Sequence, residues 1–308
     1  MCIASLIILI FFVPYVASGL AAIGKLFNSL FGWNYMLAVI IGALVIISYT
    51  SVGGFSAVAT MDLIQSIIMT VALVVITVFS INQAGGVDAV VENAKSMDGY
   101  LSFFQTYDPV AGSAKPYPAI NIFSMLAWGL GYFGMPHILV RFMAIRDEKE
   151  LTLSRRIAAV WVVISMTVAV CIGMIGNSVS KAGHIPTLEG SASETIIVQI
   201  ANLLSTYGWL AAIVAGLILA GILAATMSTA DSQLLAASSA FSENLLQDVF
   251  GMKLTHKQTM LVARGTVICI AIIAVFLASD PNSSVFAIVS FAWAGFGATF
   301  GPAILCAL

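Results

Sequence analysis

The chain has 308 residues, of which 60% are hydrophobic and only 8% are charged, and its formal net charge is −2. Its mean hydropathy is +1.05, whereas a soluble globular protein carries about 25% charged residues. A chain this apolar cannot cover a water-facing surface, so its composition excludes a soluble globular protein and indicates a polytopic membrane protein. The few basic residues are dispersed, which argues against nucleic-acid binding.

The cysteines give no sign of a metal site or a disulfide framework, because each stands alone in an apolar run. They are Cys2, Cys171, Cys269 and Cys306. No nucleophile–base pair is placed to react either. The sequence therefore predicts neither an enzyme nor a protein that carries a cofactor.

About eight apolar segments have the roughly 20 residues that a bilayer core demands. They are 3–24, 35–54, 61–82, 119–141, 155–178, 204–228, 260–278 and 284–308. We expect the sixth helix to continue past residue 228. Glycine and proline interrupt several segments, which transmembrane helices tolerate where neighbours satisfy the freed backbone groups.

The loops carry unequal basic charge, which predicts the orientation. Eight of the twelve Lys and Arg residues fall on one side of the predicted membrane: Arg141, Arg146, Lys149, Arg155, Arg156, Lys253, Lys257 and Arg264. That side should be cytoplasmic, and the sixth segment then enters from outside, with Tyr207 and Trp209 at its outer end.

The first segment contains FFVPYVASG, residues 11–19. Pro14 predicts a kink, and Tyr15 places a hydroxyl in the middle of the span. Because a buried phenol usually finds a hydrogen-bond partner, Tyr15 could bond either to the protein or to a substrate.

The fourth segment reads NIFSMLAWGLGYFGMPHILVRF and is rich in residues that disrupt a helix. They are Gly129, Gly131, Gly134 and Pro136. A broken membrane helix can line a cavity, where Trp128, Tyr132 and Phe133 would offer ring faces and a hydroxyl to a small ligand. The alternative is ordinary aromatic packing around a kink.

The sixth segment continues into GILAATMSTADSQLLAASS, residues 221–239, and concentrates polar groups in an apolar run. Hydroxyls and a carboxylate are costly there unless something polar meets them. Sodium, a hard cation that prefers oxygen, would suit Ser228, Thr229 and freed backbone carbonyls. Alternatively, the hydroxyls bond back to carbonyls of their own helix, and Asp231 lies at its cytoplasmic end in water.

Asp62 is a second acid beside the membrane, and it opens an apolar helix. Thr60 could cap this helix, with Asp62 in the first turn. Alternatively, Asp62 joins Asp231 and Ser232 in a second cation or proton site.

Several long motifs occur together and in order. They are FFVPYVASG at 11–19, YTSVGGFSAVATMDLIQ at 49–65, WGLGYFGMPHILVRFMA at 128–144, ILAATMSTADSQLLAASSAFSENL at 222–245 and VSFAWAGFGATFGPAIL at 289–305. With these motifs the chain resembles the sodium:solute symporter family over nearly its whole length. The resemblance implies an all-α, polytopic LeuT-like fold of two inverted repeats around a central site, located in the cytoplasmic membrane.

By the same resemblance, residues 1–308 form a single transmembrane transporter domain that supplies the third to tenth core helices and is truncated at both ends. The missing N- and C-terminal helices would then be partners of this domain. The Ala225 carbonyl and the hydroxyls of Ser228 and Thr229 match the family's sodium ligands. Asp62, Asp231 and Ser232 match positions that form an additional sodium site in some relatives.

The resemblance also implies a function: sodium-coupled symport of a small organic solute, with L-proline expected, by alternating access. Its substrate site would carry over to Tyr15, Trp128, Tyr132 and Pro136, with sodium as the coupling ion. Two alternatives stay open. The same fold could carry another solute, such as pantothenate or a sugar, or it could be the membrane module of a sensor protein.

Overall fold

A computed structural model describes residues 1–307, apart from the side chains of Val52, Gly53 and Ala57. The described part is almost entirely helical. Its first half contains α1 (Cys2–Phe31), α2 (Tyr35–Gln83), α3 (Val87–Ser96), α4 (Ala119–Leu126), α5 (Trp128–Gly131) and α6 (Pro136–Met143). Its second half contains α7 (Glu148–Lys181), α8 (Ile196–Ser205), α9 (Trp209–Ser239), α10 (His256–Leu277) and α11 (Val285–Ala307).

Five short elements complete the secondary structure of these residues. Two are 3₁₀ turns, Tyr132–Gly134 and Gly190–Thr195. A π-helical stretch, Ala240–Val249, continues α9. The antiparallel hairpin β1 (Gln105–Asp108) and β2 (Ser113–Pro116) lies in the segment between α3 and α4.

The prediction of an all-α polytopic protein is confirmed, although its count of eight spans is only approximate. Among residues 1–307, six helices are long and apolar enough to cross a membrane. The pair Ala119–Gly134 and Pro136–Met143, bent by 45°, makes a seventh if it forms one span. The remaining predicted segment is the shorter apolar helix Tyr35–Ser51. It is short because α2 kinks at Gly54, whose φ of 60° and ψ of −169° favour glycine.

The sixth predicted segment differs from the observed helix at its start and agrees with it at its end. The helix begins at Trp209 rather than at residue 204, because Gly208 has a φ of +109° and separates α9 from α8. At the other end the helix runs on to Val249, so the expected continuation past residue 228 is confirmed.

The chain divides into two compact units. The first comprises Met1–Met69, Gly131–Leu151 and Ala220–Leu308. In it, α1 packs against α10 and α11. Glycines on α11 allow close approach, since a Cβ added at Gly295 would clash with the ring of Phe11. Small residues on this helix therefore serve close helix packing.

The second unit comprises Thr70–Leu130 and Thr152–Leu219. Its core includes Ile76, Ile172 and Ile200, each almost fully buried. Polar contacts also join its helices, because the Asn93 side-chain amide donates to Asn177 at 2.9 Å.

Candidate functional site

The three predicted sodium-binding oxygens lie together on α9. The Ser228 hydroxyl donates to the Ala225 carbonyl at 3.1 Å, and the Thr229 hydroxyl donates to the same carbonyl at 3.2 Å. The back-bonding that we had considered as an alternative is therefore present. It also brings two hydroxyl oxygens within 3.2 Å of one carbonyl oxygen. All three residues are partly buried.

Helix α1 packs against α9 close to these oxygens. A Cβ added at Gly19 of α1 would lie 3.4 Å from the Thr226 methyl group and 3.7 Å from the Ala230 Cβ. Gly19 therefore permits the close approach of the two helices. The neighbouring hydroxyl of Thr226 donates to the Ile222 carbonyl at 3.0 Å and takes no part in the oxygen cluster.

Asp231 follows the cluster by half a turn and is fully buried. Its carboxylate accepts hydrogen bonds from the hydroxyls of Tyr49, at 3.1 Å, and Ser232, at 3.3 Å. No basic side chain of the described residues forms an ion pair with it. The suggestion that Asp231 lies in water at the end of a helix is therefore wrong, because α9 continues well past this residue.

Asp62 forms an ion pair with Arg141 through the guanidinium Nη2. The same nitrogen donates to the Ser232 hydroxyl oxygen at 2.6 Å. Thr60 is not the helix cap that we had considered, because its hydroxyl bonds back to the Ser56 carbonyl at 2.9 Å within α2. Arg141 thus connects two of the three residues predicted for a second cation site.

Two of the predicted substrate-binding residues meet at Trp293 of α11. The Trp293 Nε1 donates to the Tyr15 hydroxyl at 2.8 Å. The ring of Tyr132 packs edge-on against the Trp293 ring, with centroids 4.7 Å apart. Tyr15 therefore bonds to the protein, and the oxygen of its hydroxyl acts as the acceptor in that bond.

The broken fourth segment crosses α11 at its glycines. A Cβ added at Gly134 would clash with the Phe296 carbonyl, and one at Gly131 would come within 3.0 Å of the Trp293 ring. Pro136 then begins α6 and lines a cavity of about 330 Å³ together with His137, Arg141 and Ser232. The break therefore borders a cavity through Pro136, but Trp128, Tyr132 and Phe133 are not among the described residues that line it. Tyr132 instead shows the aromatic packing considered as the alternative.

Trp128, the fourth predicted substrate-binding residue, begins α5 and is half-buried. It belongs to the second compact unit, whereas Tyr15, Tyr132 and Pro136 belong to the first. Its place beside the other three residues stays a prediction.

Sequence reasoning missed three residues that contact the predicted site residues. Arg141 was used only to predict the orientation. An arginine in an apolar run, here five residues after Pro136, by itself indicates a functional residue. Trp293 lies in the motif at residues 289–305, from which no site residue was predicted. Tyr49 gave no signal, because its contact with Asp231 joins residues 182 positions apart.

Comparison with known proteins places these residues in a family. The model of the sodium:solute symporter family matches residues 1–308. The chain is 38% identical over 306 residues to the osmoregulated proline transporter OpuE of Bacillus subtilis (strain 168), covering 99% of this chain and 59% of the relative. It is also 38% identical over 306 residues to the sodium/proline symporter of Salmonella typhimurium, covering 98% of this chain and 58% of the relative. The chain thus spans about three fifths of the length of these curated relatives.

A solved structure supports the fold. A Na⁺-coupled sialic acid symporter, determined in a substrate-bound outward-open state, aligns with a TM-score of 0.70 at 20% sequence identity. The alignment covers 89% of this chain and 57% of that one. The fold is therefore LeuT-like, and the chain is a multi-pass cell-membrane protein. Because the family model matches the chain over residues 1–308, the chain belongs to the sodium:solute symporter family.

Proposed function

We propose that the full-length protein is a secondary active symporter that couples sodium to the entry of L-proline. The observation that carries this proposal is the cluster of the Ala225 carbonyl with the hydroxyls of Ser228 and Thr229. The names of the relatives support the substrate, since several are proline transporters. Binding and movement, rather than enzymatic turnover, account for the groups collected in this cluster.

Sodium would bind at the point where the three oxygens of α9 converge. The hydroxyls of Ser228 and Thr229 donate to the Ala225 carbonyl, so their own lone pairs remain available to a cation. On binding, the two protons would turn away from the carbonyl and free it as a third ligand. The remaining ligands would come from other segments of the full-length protein, whose helices would be the partners of this chain.

L-proline would bind beside Tyr15, Tyr132 and Pro136, with Trp128 as a further aromatic wall. The Tyr15 hydroxyl oxygen accepts a bond from Trp293, which leaves its own proton for an acceptor such as the substrate carboxylate. Trp293 therefore acts as a positioning residue that sets the direction in which Tyr15 donates. The ring faces of Tyr132 and Trp293 supply apolar surface for a small ring.

We propose a second cation site with Asp231 as its charged ligand and Ser232 beside it. Asp231 is fully buried, accepts from the hydroxyls of Tyr49 and Ser232, and forms no ion pair with a basic side chain in the described part of the chain. A buried carboxylate is costly unless a charge of opposite sign meets it. Asp62, the third residue predicted for this site, already has Arg141 as its counter-charge. The contribution of Asp62 would therefore be indirect.

Alternating access would couple the two ligands. Sodium at α9 would favour the conformation that binds substrate, and substrate would favour sodium by the same factor, because such coupling is reciprocal. Opening of the protein toward the cytoplasm would then weaken the binding of both sodium and substrate. Coupling of this kind needs each ligand to bind one conformation more tightly than the other.

The direct test is uptake of radiolabelled L-proline by the purified full-length protein in proteoliposomes. An inward sodium gradient should drive accumulation against the proline gradient, whereas choline in place of sodium should abolish it. Competition with unlabelled pantothenate and sugars tests the substrate. The proposal is supported if proline uptake depends on sodium and neither pantothenate nor sugars compete with proline. Transport of another solute with no proline uptake would contradict it.

A further inference from the structure

A cavity of about 330 Å³ in the first unit lies beyond the proposed sodium oxygens along α9. It is bordered by Ser232 and Ser239, which follow Ser228 by four and eleven residues. At 1.5 Å per residue, Ser239 is about 16 Å further along the helix than Ser228. The distribution of Lys and Arg predicts that this end faces the cytoplasm. The cavity thus lies on the inner side of the proposed sodium site.

Arg141 brings unused hydrogen-bond donors to this cavity. A guanidinium carries five N–H donors. In the described part of the chain both of its bonds, to Asp62 and Ser232, come from Nη2. Three N–H groups, on Nε and Nη1, therefore have no acceptor among the described residues. The side chain is 42% exposed, so an incoming anion can reach it.

His137 gives a second, independent indication of a ligand. This residue also lines the cavity, is only 8% exposed, and its Nδ1 has no hydrogen-bond partner among the described residues. A buried polar atom without a partner is costly unless a ligand or water meets it. None of the described residues that border the cavity is acidic. The nearby carboxylates are those of Asp62, which is paired with Arg141, and Glu243, which accepts from Ser239 at 3.2 Å.

The remaining wall suits the rest of a small amino acid. Ile8, Val140 and Leu235 give apolar surface. Ser239 and Asn244 provide oxygens that can accept from an ammonium group. The volume lies at the lower end of the range for small-molecule sites, about 300–1,000 Å³.

We propose that this cavity is an exit subsite that receives the carboxylate of the amino-acid substrate on Arg141 during its release to the cytoplasm. The proposal rests on the proposed function, since the substrate is taken to be L-proline. Asp62 competes with the substrate for the guanidinium, which keeps the subsite weak enough to let the substrate leave. Arg141 would thus bind substrate on the inner side only.

The test compares the two sides of the membrane. Vesicles containing the full-length protein are loaded with labelled L-proline to give the KM of efflux, and uptake gives the external KM. Arg141→Gln should raise the internal KM about tenfold or more and change the external KM less than twofold. Arg141→Lys should have an intermediate effect. Arg146→Gln, which removes an exposed guanidinium from the same side, is the matched control and should change neither.

A competitor without a carboxylate separates carboxylate binding from a general change of the cavity. L-prolinamide inside the vesicles should inhibit efflux equally, within twofold, in wild type and in Arg141→Gln. Internal and external KM rising together, or neither changing, would overturn the proposal, as would an equal loss of affinity for L-prolinamide.

Asp62→Asn covers the case in which Arg141→Gln does not fold. Because it removes the competing carboxylate, it should lower the internal KM severalfold, and an internal KM that does not fall would overturn the proposal. Failure of the proposed function looks different, since the wild-type protein would then show no sodium-dependent transport of L-proline, and both proposals would fall.

Discussion

Trp293 donates a hydrogen bond of 2.8 Å from Nε1 to the hydroxyl oxygen of Tyr15, and both side chains are buried. The bond joins α11 to the kinked helix α1 across 278 positions of sequence. It fixes the rotation of the Tyr15 hydroxyl, so the phenolic proton is left for another acceptor. Substrate affinity should therefore depend on Trp293 even though the indole acts through Tyr15.

We expect Trp293→Phe to raise the external KM for proline about three- to tenfold, which corresponds to the net free-energy contribution of about one hydrogen bond. Tyr15→Phe should raise it at least as much, and the double variant no more than Tyr15→Phe alone, because both changes remove the same interaction. Trp209→Phe, at an exposed indole, is the control for loss of a tryptophan. Fully additive effects would show that the two residues act separately.

The stability of the protein should depend on the glycines of the broken fourth segment that pack closely. Gly134→Ala would force a Cβ against the Phe296 carbonyl, so it should lower the free energy of unfolding by about 1–3 kcal/mol. Gly129→Ala is the matched control, since an added Cβ there meets nothing within 4 Å. Thermal unfolding in detergent distinguishes the two. Equal stability of both variants would contradict the packing described for Gly134.

The stability of the β1–β2 hairpin should depend on pH only in acid. Asp108 accepts from Lys115 and from the amides of Val110 and Ala111, and the Lys115 ammonium in particular holds the pKa of its carboxyl below the ordinary value. A lowered pKa means that the ionised form stabilises the hairpin. That contribution is complete above about pH 4 and is lost as the pH falls through the lowered pKa.

Spin labels at Gln105 and Pro116, which face each other in the hairpin, can measure this effect by their distance distribution. The distribution should be unchanged between pH 8 and pH 5 and should broaden in stronger acid. Asp108→Asn should broaden it already at pH 7. A distribution that broadens between pH 8 and pH 6 would show that another group controls the hairpin.

Much of the fold could be predicted because membrane helices leave a strong signal in composition. The apolar segments and the break before Pro136 could be recognised, since each depends on residues near one another in sequence. The kink at Gly54 and the later start of α9 at Trp209 could not, because glycine does not reveal which φ it adopts. The hairpin was overlooked, since four-residue strands carry little periodicity.

The candidate site could be predicted only along single helices. Ala225, Ser228 and Thr229 lie within five residues of one another, so helical geometry alone places their oxygens together. The contacts of Arg141 with Asp62, and of Tyr49 with Asp231, depend on tertiary packing across 79 and 182 positions. No local pattern reports such pairs, which is why Arg141 and Tyr49 were overlooked.

The buried carboxylate of Asp231 predicts a second coupled cation. Asp231→Asn should lower the Hill coefficient of sodium activation of proline uptake toward 1, because it removes the charge that the second cation would meet. Glu92→Gln, at an exposed acid in the second unit, is the control and should leave the coefficient unchanged. An unchanged coefficient in Asp231→Asn would contradict a second sodium site at this carboxylate.

The most direct test of the proposed sodium ligands on α9 is the sodium concentration for half-maximal proline uptake by the full-length protein. Ser228→Ala and Thr229→Ala should each raise it about tenfold, since each removes one oxygen from a charged ligand shell. Thr226→Ala removes a hydroxyl that bonds to Ile222 on the same helix, and it should change the value less than twofold. Wild-type sodium affinity in both Ser228→Ala and Thr229→Ala would contradict the assignment of sodium to this cluster.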